Sequence, residues 1–422
     1  MLVILTSHPI QYQAPMWRAL AQDGRVPFEV WFLTDHAVRP THDREFGKSF
    51  AWDRDLLAGY SYRFLPVRAG WQLDRFRGIH VTEPWSKLFK EHGVTRLWVE
   101  GWRFSENWAA VFAARGAGVE VWMRGETNDL RPRAGGKEII RRVLLARLFA
   151  RVSSFLCIGS ANRRFYKSFG IEDSKLLSAP YCVDNQWFAE QAEQLKGQKM
   201  QLRREWGIPD DAFCLLFCGK FIPKKRPMDL VHAARQVMNG SSGRAVHLVF
   251  VGSGALGDDL RSVCQVVFDA EDCNYQPLVP AKPQSEAGST PTPLFRQRPK
   301  AKPDQLPTAS FAGFLNQGEI VKAYVLADCL VLPSDSGETW GLVVNEAIAC
   351  GIPCIVSDAC GCAEDIFNIP HCSRFPLGDV GILASNIQNL LAARIDGQKL
   401  KEGISSRFSI QITINSIVSL IC

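Results

Sequence analysis

Short apolar runs alternate with helical segments along most of this 422-residue chain. Arg96–Glu100 and Ser154–Ile158 in the first half, and Phe213–Cys218 and Val246–Val251 in the second, are apolar almost throughout instead of at every second position. Strands buried on both faces of a sheet have this pattern, and intervening helices make such strands parallel. The alternation therefore predicts two doubly wound α/β domains, for which the chain is long enough.

The boundary between the domains is expected in the Pro-containing segment 179–184, where one strand–helix series ends and another begins. We assign residues 1–183 to the first domain and residues 184–404 to the second. The segment from about 405 to 422 is apolar at roughly helical spacing, which favours a final helix.

Residues 274–308 interrupt the second series. Eight of these 35 residues are proline, and Ser, Thr, Gln, Lys and Gly make up much of the rest. Such a composition buries too little apolar surface to offset the entropy of ordering, so we predict a disordered insertion.

Charge and cysteine content restrict the setting. The excess of basic over acidic residues is six, which is modest for this length and does not suggest nucleic-acid binding. We expect neither a signal peptide nor a transmembrane helix, because the first ten residues lack a basic region and no apolar run reaches about 18 residues. The thirteen cysteines are odd in number and lie mostly in apolar runs, which indicates free thiols in a reducing, cytoplasmic setting.

The stretch Val331–Asp358 carries the most informative pattern. It predicts a buried strand ending in Pro-Ser-Asp-Ser-Gly, a helix over Gly341–Cys350, and another strand after Gly-Ile-Pro. Glu338 then lies on the loop before the helix, and Glu346 lies inside it. The unpaired N–H groups of a helix start can bind an anion, whereas carboxylates accept hydrogen bonds from hydroxyls. A nucleotide-sugar has both kinds of group.

The sequence G-E-T-W-G-L-V-V-N-E-A resembles the E-x7-E motif of retaining glycosyltransferases with the GT-B fold, most closely glycosyltransferase family 4 (glycosyl transferases group 1). The resemblance implies two Rossmann-like domains facing a central cleft, with a final helix that returns to the first domain. It also implies that Glu338 contacts the donor sugar and Glu346 its ribose. Backbone groups of Trp340, Gly341 and Leu342 would then face the diphosphate.

A basic turn, Gly219–Pro227, follows the predicted strand Phe213–Cys218. Ligands bind at the carboxyl ends of strands in α/β sheets, and a diphosphate would relieve the repulsion among the clustered cations, although such a turn is otherwise ordinary solvated surface. The turn resembles the family's G-R-x-x-x-x-K sequence, with Gly219 first, Lys220 in the Arg position and Lys225 in the Lys position. The resemblance implies that both lysines stabilise the departing diphosphate, although Lys220 lacks the bidentate guanidinium.

Gly252, Gly254 and Gly257 form a G-x-G-x-x-G sequence after the predicted strand Val246–Val251, with an acidic cluster at 269–272. This pattern leaves open an NAD(P)-dependent oxidoreductase that uses the glycine loop. Against that alternative, the loop does not begin a domain, and the acidic cluster leads directly into the insertion without room for the rest of a βαβ unit. The family often has a similar turn near the nucleotide, so the resemblance makes Gly252 and Gly254 donor-binding residues.

Two short patterns suggest metal binding, and we expect neither to bind one. Asp53-Arg54-Asp55 matches the D-x-D signature of another transferase fold, but it opens a polar turn and does not end an apolar strand. Four cysteines, Cys350, Cys354, Cys360 and Cys362, have a spacing that fits no zinc pattern.

Two loops of the first domain should face the cleft, because each follows the carboxyl end of a predicted strand. His8 and Gln11 follow the first strand, and Arg124 and Glu126 follow the strand Val119–Met123. The family often has a glycine-rich loop at the first place and a histidine at the second, and this chain has neither. We assign these four side chains to the acceptor or sugar side, with structural roles as the alternative.

The helical segment Lys137–Arg151 mixes apolar residues with arginines on several sides. The predicted core face comprises Ile139, Val143, Ala146 and Ala150, and the apolar residues outside it are Leu144, Leu145, Leu148 and Phe149. Apolar residues beside arginines on a surface suit contact with anionic lipid headgroups. A core helix with a solvated basic face is the alternative.

These patterns together predict a retaining, metal-independent hexosyltransferase. It would move a hexose from a UDP- or GDP-sugar to a polysaccharide or lipid-linked glycan, without a cofactor, because the nucleotide-sugar is itself a substrate. A GT-B nucleotide-sugar epimerase, which needs no acceptor, is a further alternative. The expected location is cytoplasmic, peripheral on the inner face of the membrane if residues 137–151 contact lipid.

Overall fold

A computed structural model describes residues 1–38, 41–43, 48–130, 135–240, 245–271 and 306–421, which form two α/β domains. The strands are β1 (Leu2–Thr6), β2 (Phe28–Phe32), β3 (Thr41–Asp43), β4 (Lys48–Phe50), β5 (Tyr62–Phe64), β6 (Arg96–Glu100), β7 (Glu120–Arg124), β8 (Ser154–Cys157), β9 (Leu176–Ser178), β10 (Phe213–Cys218), β11 (Val246–Val251), β12 (Gln265–Asp269), β13 (Thr308–Gly313), β14 (Cys329–Leu332), β15 (Cys354–Ser357) and β16 (Ser373–Phe375). The helices are α1 (Ala14–Asp23), α2 (Trp85–Glu91), α3 (Ser105–Gly116), α4 (Gly136–Phe149), α5 (Ser160–Lys167), α6 (Asn185–Leu195), α7 (Lys199–Glu205), α8 (Pro227–Met238), α9 (Gly257–Ser262), α10 (Gln317–Leu326), α11 (Leu342–Ala349), α12 (Ala363–Ile366), α13 (Val380–Ala392), α14 (Gly397–Arg407) and α15 (Ile410–Ser419).

Each domain contains a parallel sheet of seven strands. The order is β5-β2-β1-β6-β7-β8-β9 in the first sheet and β12-β13-β11-β10-β14-β15-β16 in the second. In each sheet the direction in which successive strands are added reverses once. The reversal lies beside β1 in the first sheet, where β1 adjoins β6, and beside β10 in the second, where β10 adjoins β14. Crevices that bind ligands open at such reversals, beyond the carboxyl ends of the strands. The predicted pair of doubly wound parallel sheets is confirmed.

The near-continuous apolar runs form central strands, whose side chains are buried on both faces of the sheet. All six residues of β10 and all six of β11 are buried, as the near-continuous hydrophobicity predicted. The short strands β9, β12 and β16 and the antiparallel pair β3–β4 were not predicted. Their three to five residues are too few to give a periodic signal.

The Pro-rich insertion predicted at 274–308 lies mainly outside the described residues. Its last three residues are described, and here the prediction was wrong. Leu306 is buried, and Thr308 begins β13, where it pairs with His247 of β11. Leu306 is buried because it lies just before a strand of the sheet, and the Pro-rich composition of the preceding residues does not change this.

The two domains are in direct contact. Asn345 on α11 donates to the carbonyl of Tyr181 and accepts from the Trp340 indole, at 3.2 and 2.8 Å. Asp365 accepts hydrogen bonds from Ser160 N and Oγ of the first domain, at 2.9 and 2.6 Å. A Cβ at Gly159 would lie 2.2 Å from the Trp340 ring, so only glycine allows this approach.

The helix α15 packs against the first domain although it follows the second in sequence. Ile414 and Ile417 are buried in a cluster with Trp17 of α1 and with strand residues of the first sheet. The Oγ atom of Ser416 donates to the carbonyl of Ser178 in β9 at 2.5 Å.

The predicted orientation of α4 was wrong. Its buried residues are Leu145, Leu148 and Phe149, whereas Ile139, Ile140, Val143 and Leu144 are exposed. The aromatic cluster around Trp102 and Phe165, which the helix contacts through Phe149, selects the face. No helix among the described residues is both long and apolar enough to span a bilayer.

Eleven cysteines lie in the described part of the chain, and all are free and buried. Burial raises the pKa of the thiols of Cys214 and Cys218 to about 12. These thiols therefore stay protonated at neutral pH and behave as small apolar side chains.

Asp328, directly before β14, links α7 and β10 of the second domain. Its carboxylate accepts from Arg203 Nη2 at 2.6 Å, from Lys199 Nζ at 3.0 Å and from Cys214 N at 2.9 Å. Burial alone would raise the pKa of Asp328, but Lys199 and Arg203 outweigh it and hold the pKa below its usual value. Because the folded pKa is depressed, this stabilisation is present at neutral pH and is lost as the pH falls.

We therefore expect Asp328→Ala to lower the free energy of unfolding by about 3 kcal/mol, since it leaves the charge of the buried Arg203 without its counter-ion. Urea denaturation at pH 7 measures this change. Asp210→Ala is the control and should cost less than about 1 kcal/mol, because its partner Arg204 is exposed. The difference between wild type and Asp328→Ala should shrink toward acid pH, and a pH-independent difference would contradict the assignment.

Candidate active site

The loops after β10 and β11 lie in backbone contact. Gly219 N donates to Val251 O at 2.9 Å, and Gly252 has a φ of +128°. A Cβ at Gly252 would lie 2.0 Å from the carbonyl oxygen of Gly219. Any side chain at position 252 would therefore force the two strand ends apart.

Gly254 has a similar role further along the same loop. A Cβ there would lie 2.8 to 3.0 Å from backbone atoms of Phe221, whose N–H donates to Ser253 O at 2.9 Å. The G-x-G-x-x-G sequence thus has a packing explanation in the contact between two loops. This explanation does not involve a dinucleotide.

The argument that no room existed for a strand after the glycine loop was wrong, since β12 follows α9 and pairs with β13. The described residues of the acidic cluster nevertheless form ion pairs within the second domain, so their carboxylates are already used. Asp269 is buried and accepts from Arg261 Nε at 2.6 Å, and Arg261 also bonds Glu271 at 3.2 Å. Asp272 lies outside the described residues.

The basic turn brings Lys225 to Glu338, 113 residues later in the chain. Lys225 Nζ donates to Glu338 Oε2, and both side chains are less than one-fifth exposed. A backbone bond from Asp335 N to Lys224 O, at 2.8 Å, fixes the two loops side by side. An ammonium has three donors, so Lys225 can hold Glu338 and an oxygen of a ligand together.

The residue after Lys225 has an unusual backbone conformation. Arg226 has a φ of +48°, which is uncommon for a residue with a side chain, and it immediately precedes Pro227 of α8. The Arg226 guanidinium bonds both carboxylate oxygens of Asp229, at 2.7 and 3.1 Å. This ion pair holds the Arg226 side chain against the first turn of α8. Lys220 lies half-buried between Gly219 and Phe221 in the same loop.

The helix α11 begins at Leu342, directly after Gly341, whose φ is +105°. The predicted loop position of Glu338 and helical position of Glu346 match this structure. The Trp340 side chain is buried in contact with Tyr181 and Phe408, so only its backbone is available to a ligand.

Glu346 lies in the wall of a pocket of about 220 Å³, together with Gln11, Gly219 and Gly252. Burial raises its pKa to about 7, and a hydrogen bond from the Tyr324 hydroxyl, at 2.5 Å, partly opposes the rise. The rest of the wall is largely apolar. The residues concerned are Trp52, Val251, Phe314, Leu315, Ile320 and Val343.

A second pocket, of about 450 Å³, lies on the first domain and is lined by His8, Arg124 and Glu126. The Glu126 carboxylate accepts from the hydroxyls of Tyr12, at 3.0 Å, and Tyr181. Three of the four predicted first-domain residues therefore share this pocket. The fourth, Gln11, lines the pocket of Glu346 instead.

The pKa values of two side chains in the second pocket, His8 and Glu100, are strongly shifted. Burial, with the nearby His36 and Arg103, lowers the pKa of His8 to about 4, so this histidine is neutral at pH 7. Burial raises the pKa of Glu100 to about 7, although Arg124 Nη1 lies 3.8 Å away. Within the described residues Glu100 Oε1 has no hydrogen-bond partner.

The D-x-D sequence has a structural explanation. Asp53 Oδ2 accepts from Gly318 N at 2.7 Å, and Asp55 Oδ1 accepts from Leu57 N and Ala58 N at 2.8 and 3.2 Å. Both carboxylates thus hold backbone N–H groups. Across the described residues, no three His, Cys, Asp or Glu side chains form a group that could hold a metal ion.

Sequence reasoning missed several residues that line the two pockets or donate to their glutamates. Glu100 could have been found, since it ends the predicted strand β6 at the same sheet edge as Arg124. Tyr12 belongs to the loop that already supplied His8 and Gln11. Tyr181 and Tyr324 have no comparable signal, because a tyrosine in a linker or a helix is more often a packing residue.

Comparisons with known proteins match part of the chain in sequence and nearly the whole chain in fold. The family model described as glycosyl transferases group 1 matches residues 301–369, which include Glu338 and Glu346. An uncharacterised glycosyltransferase of Methanocaldococcus jannaschii is 28% identical over 169 residues, which are 40% of this chain and 33% of that protein. A D-inositol 3-phosphate glycosyltransferase of Frankia alni is 30% identical over 38% of this chain and 32% of that protein. The chain spans about a third of the length of these curated relatives.

Solved structures match over nearly the full length. The Anabaena protein HepE in complex with UDP-glucose has a TM-score of 0.62 at 14% identity, over 100% of this chain and 98% of that one. A glycosyltransferase from Rickettsia africae has a TM-score of 0.65 at 11% identity, over 99% and 97%. Likenesses at such low identity show the fold alone. This protein therefore has the GT-B fold, and residues 301–369 of its second domain match the family model of the group 1 glycosyl transferases.

Proposed function

We propose that the chain is a retaining glycosyltransferase that moves a hexose from a UDP- or GDP-sugar to a polysaccharide or lipid-linked glycan. The observation that carries this proposal is the meeting of Lys225 and Glu338 at the carboxyl ends of β10 and β14, beside the start of α11. Cations and free helix N–H groups suit a diphosphate, and carboxylates suit sugar hydroxyls. The relatives named above support the same class of reaction.

In the proposed reaction, the bond between the anomeric carbon and the diphosphate oxygen breaks while the acceptor oxygen bonds to the same face of that carbon. The acceptor's proton passes to a phosphate oxygen of the leaving group. The products are the glycosylated acceptor and a nucleoside diphosphate. No nucleophilic side chain of the enzyme enters this scheme, so positioning and electrostatic stabilisation supply the acceleration.

The two predicted lysines, the helix N–H groups and the two predicted glutamates each have a role in this scheme. Lys225, Lys220 and the N–H groups at Gly341 and Leu342 stabilise negative charge on the diphosphate, so the proposed transfer is metal-independent. Glu338 holds sugar hydroxyls and orients Lys225. Glu346 accepts from the ribose hydroxyls of the donor. The donor is a substrate, so the proposal includes no cofactor.

The first-domain pocket is proposed for the acceptor. Glu126, Glu100 and Arg124 offer both hydrogen-bond acceptors and a cation to a hydroxylated molecule, and Trp102 adds an aromatic wall. The neutral His8 can donate or accept a proton in a hydrogen bond to the acceptor.

The exposed side of α4 supports a proposal of peripheral membrane contact, on the cytoplasmic face. Ile139 and Ile140 are about two-thirds exposed, and Val143 and Leu144 are nearly half exposed. The helix also carries four cations and one acid. Exposed apolar residues flanked by cations are expected to insert at an anionic bilayer surface.

Replacing either member of the central pair should abolish transfer. The donor is first identified by thermal shift with UDP-, GDP- and ADP-sugars and with NAD(P). We then expect Glu338→Gln and Lys225→Met each to lower kcat at least about 100-fold, because each removes charge stabilisation in the transition state. The measurement is nucleoside diphosphate release in the presence of acceptor.

The matched control for this experiment is Lys224→Met, which removes a neighbouring exposed cation and should leave turnover near the wild-type rate. Urea denaturation checks that all three variants fold. Full turnover by Glu338→Gln or Lys225→Met would refute the mechanism. Stabilisation by NAD(P) alone would favour the oxidoreductase, and sugar inversion without acceptor would favour the epimerase.

Nucleotide binding should depend on the ionisation of Glu346. A carboxylate accepts hydrogen bonds from ribose better than the protonated acid, so affinity for UDP should rise between pH 6 and pH 8, through the pKa of about 7. The neighbouring Tyr324 and Cys218 do not titrate in this range, because burial raises the pKa of each well above it. Calorimetry at several pH values measures the trend.

In Glu346→Gln, the part of this pH dependence due to residue 346 should vanish, leaving only the titration of the nucleotide itself. Identical pH profiles for the variant and the wild type would show that Glu346 does not titrate on binding.

Membrane contact should depend on the exposed apolar residues of α4. We expect the double variant Ile140→Ser, Leu144→Ser to bind phosphatidylglycerol vesicles at least about tenfold more weakly than wild type, since it removes buried methylenes from the lipid contact. Co-sedimentation measures binding. Ile382→Ser, which changes an exposed apolar residue of the second domain, is the control. Equal binding by all proteins would exclude α4 as the contact.

A further inference from the structure

A short segment of the first domain, Ala51–Asp55, reaches the second domain beside the pocket of Glu346. The carbonyl of Ala51 accepts from Asn316 Nδ2 at 2.7 Å. Asp53 Oδ2 accepts from Gly318 N, also at 2.7 Å. Trp52 lies between these two bonded residues, so both of its chain neighbours are hydrogen-bonded to the start of α10.

The same segment is also fixed from its other side. Arg18 on α1 donates to the carbonyl of Asp55 at 2.9 Å. The Arg54 guanidinium lies 4.4 Å from the centre of the Trp187 ring and 3.7 Å from a carboxylate oxygen of Asp184. These contacts join the segment to α1 and to the start of α6, so its backbone position is set by both domains.

The fixed backbone places the Trp52 side chain in the wall of the 220 Å³ pocket. Opposite walls come from the second domain and are apolar at Phe314, Leu315 and Val343, with the Glu346 carboxylate among them. An apolar space bounded by an indole suits a flat heteroaromatic ring, and an adjacent carboxylate suits vicinal hydroxyls. A nucleoside has these two parts covalently joined.

We propose that Trp52 forms part of the donor's nucleoside site, so that a residue of the first domain completes a pocket built mainly by the second. This assignment rests on the proposed function, because it takes the ligand of the pocket to be a nucleoside diphosphate. The indole packs against the base, and the bonds at Ala51 and Asp53 hold it there. Donor binding and contact between the domains are then coupled through one short segment.

The test is calorimetric titration of the full chain with UDP, GDP and ADP. Trp52→Ala should weaken binding of the preferred nucleotide about tenfold or more, as loss of an aromatic ring against a base commonly does. Trp52→Phe should fall between the wild type and Trp52→Ala. Phe112→Ala, which removes an exposed aromatic ring elsewhere on the first domain, should bind like wild type.

A second variant tests the anchoring. Asp53→Ala keeps the indole but loses the bond to Gly318, and it should weaken binding by a smaller factor than Trp52→Ala. With the donor identified, Trp52→Ala should raise the KM for the donor much more than it lowers kcat, a split that simple loss of folded protein would not produce.

Equal nucleotide affinity in wild type and Trp52→Ala would overturn the assignment of Trp52 and leave the proposed function standing. Failure of the wild type to bind any of the three nucleotides would overturn the proposed function and this assignment together. Weakened binding by Phe112→Ala to the same extent as by Trp52→Ala would also refute a specific role for Trp52.

Discussion

The close approach of the loops after β10 and β11 determines the geometry of the candidate site. Neither Gly252 nor Gly254 has space for a Cβ, and backbone hydrogen bonds join the two loops on both sides of Phe221. The β10 loop is therefore held at a fixed height above the sheet. From there its basic turn reaches the end of β14, where Lys225 meets Glu338. The position of the proposed diphosphate site therefore follows from backbone packing.

Much of this arrangement was predictable because it depends on strand order and strand ends. Continuous apolar runs identify buried parallel strands, and polar residues after such runs must lie at one edge of the sheet. This rule places His8, Lys225 and Glu338 correctly on three different loops. The spacing of Glu338 and Glu346 was informative because it resembles the E-x7-E motif, and the structure has the first glutamate on the loop before α11 and the second inside that helix.

Other features depend on contacts that sequence periodicity does not encode. The orientation of α4 is set by the aromatic cluster beneath Phe149, and periodicity alone chose a different face. The glycines of the G-x-G-x-x-G sequence serve a neighbouring loop, which cannot be distinguished from a dinucleotide turn before the fold is known. Trp52 is more than 260 residues from Asn316, whose side chain bonds the preceding carbonyl. Only the fold brings such pairs together.

The buried free cysteines would allow local unfolding of the chain to be measured by thiol labelling. Protonated thiols enclosed in the core react slowly with alkylating reagents, whereas an exposed thiol reacts at an ordinary rate. Cys182 lies in the segment that joins the two domains, and Cys360 and Cys362 lie behind Glu338. The rates at which individual thiols are labelled would therefore show which parts of the molecule unfold locally and which stay folded, without an added probe.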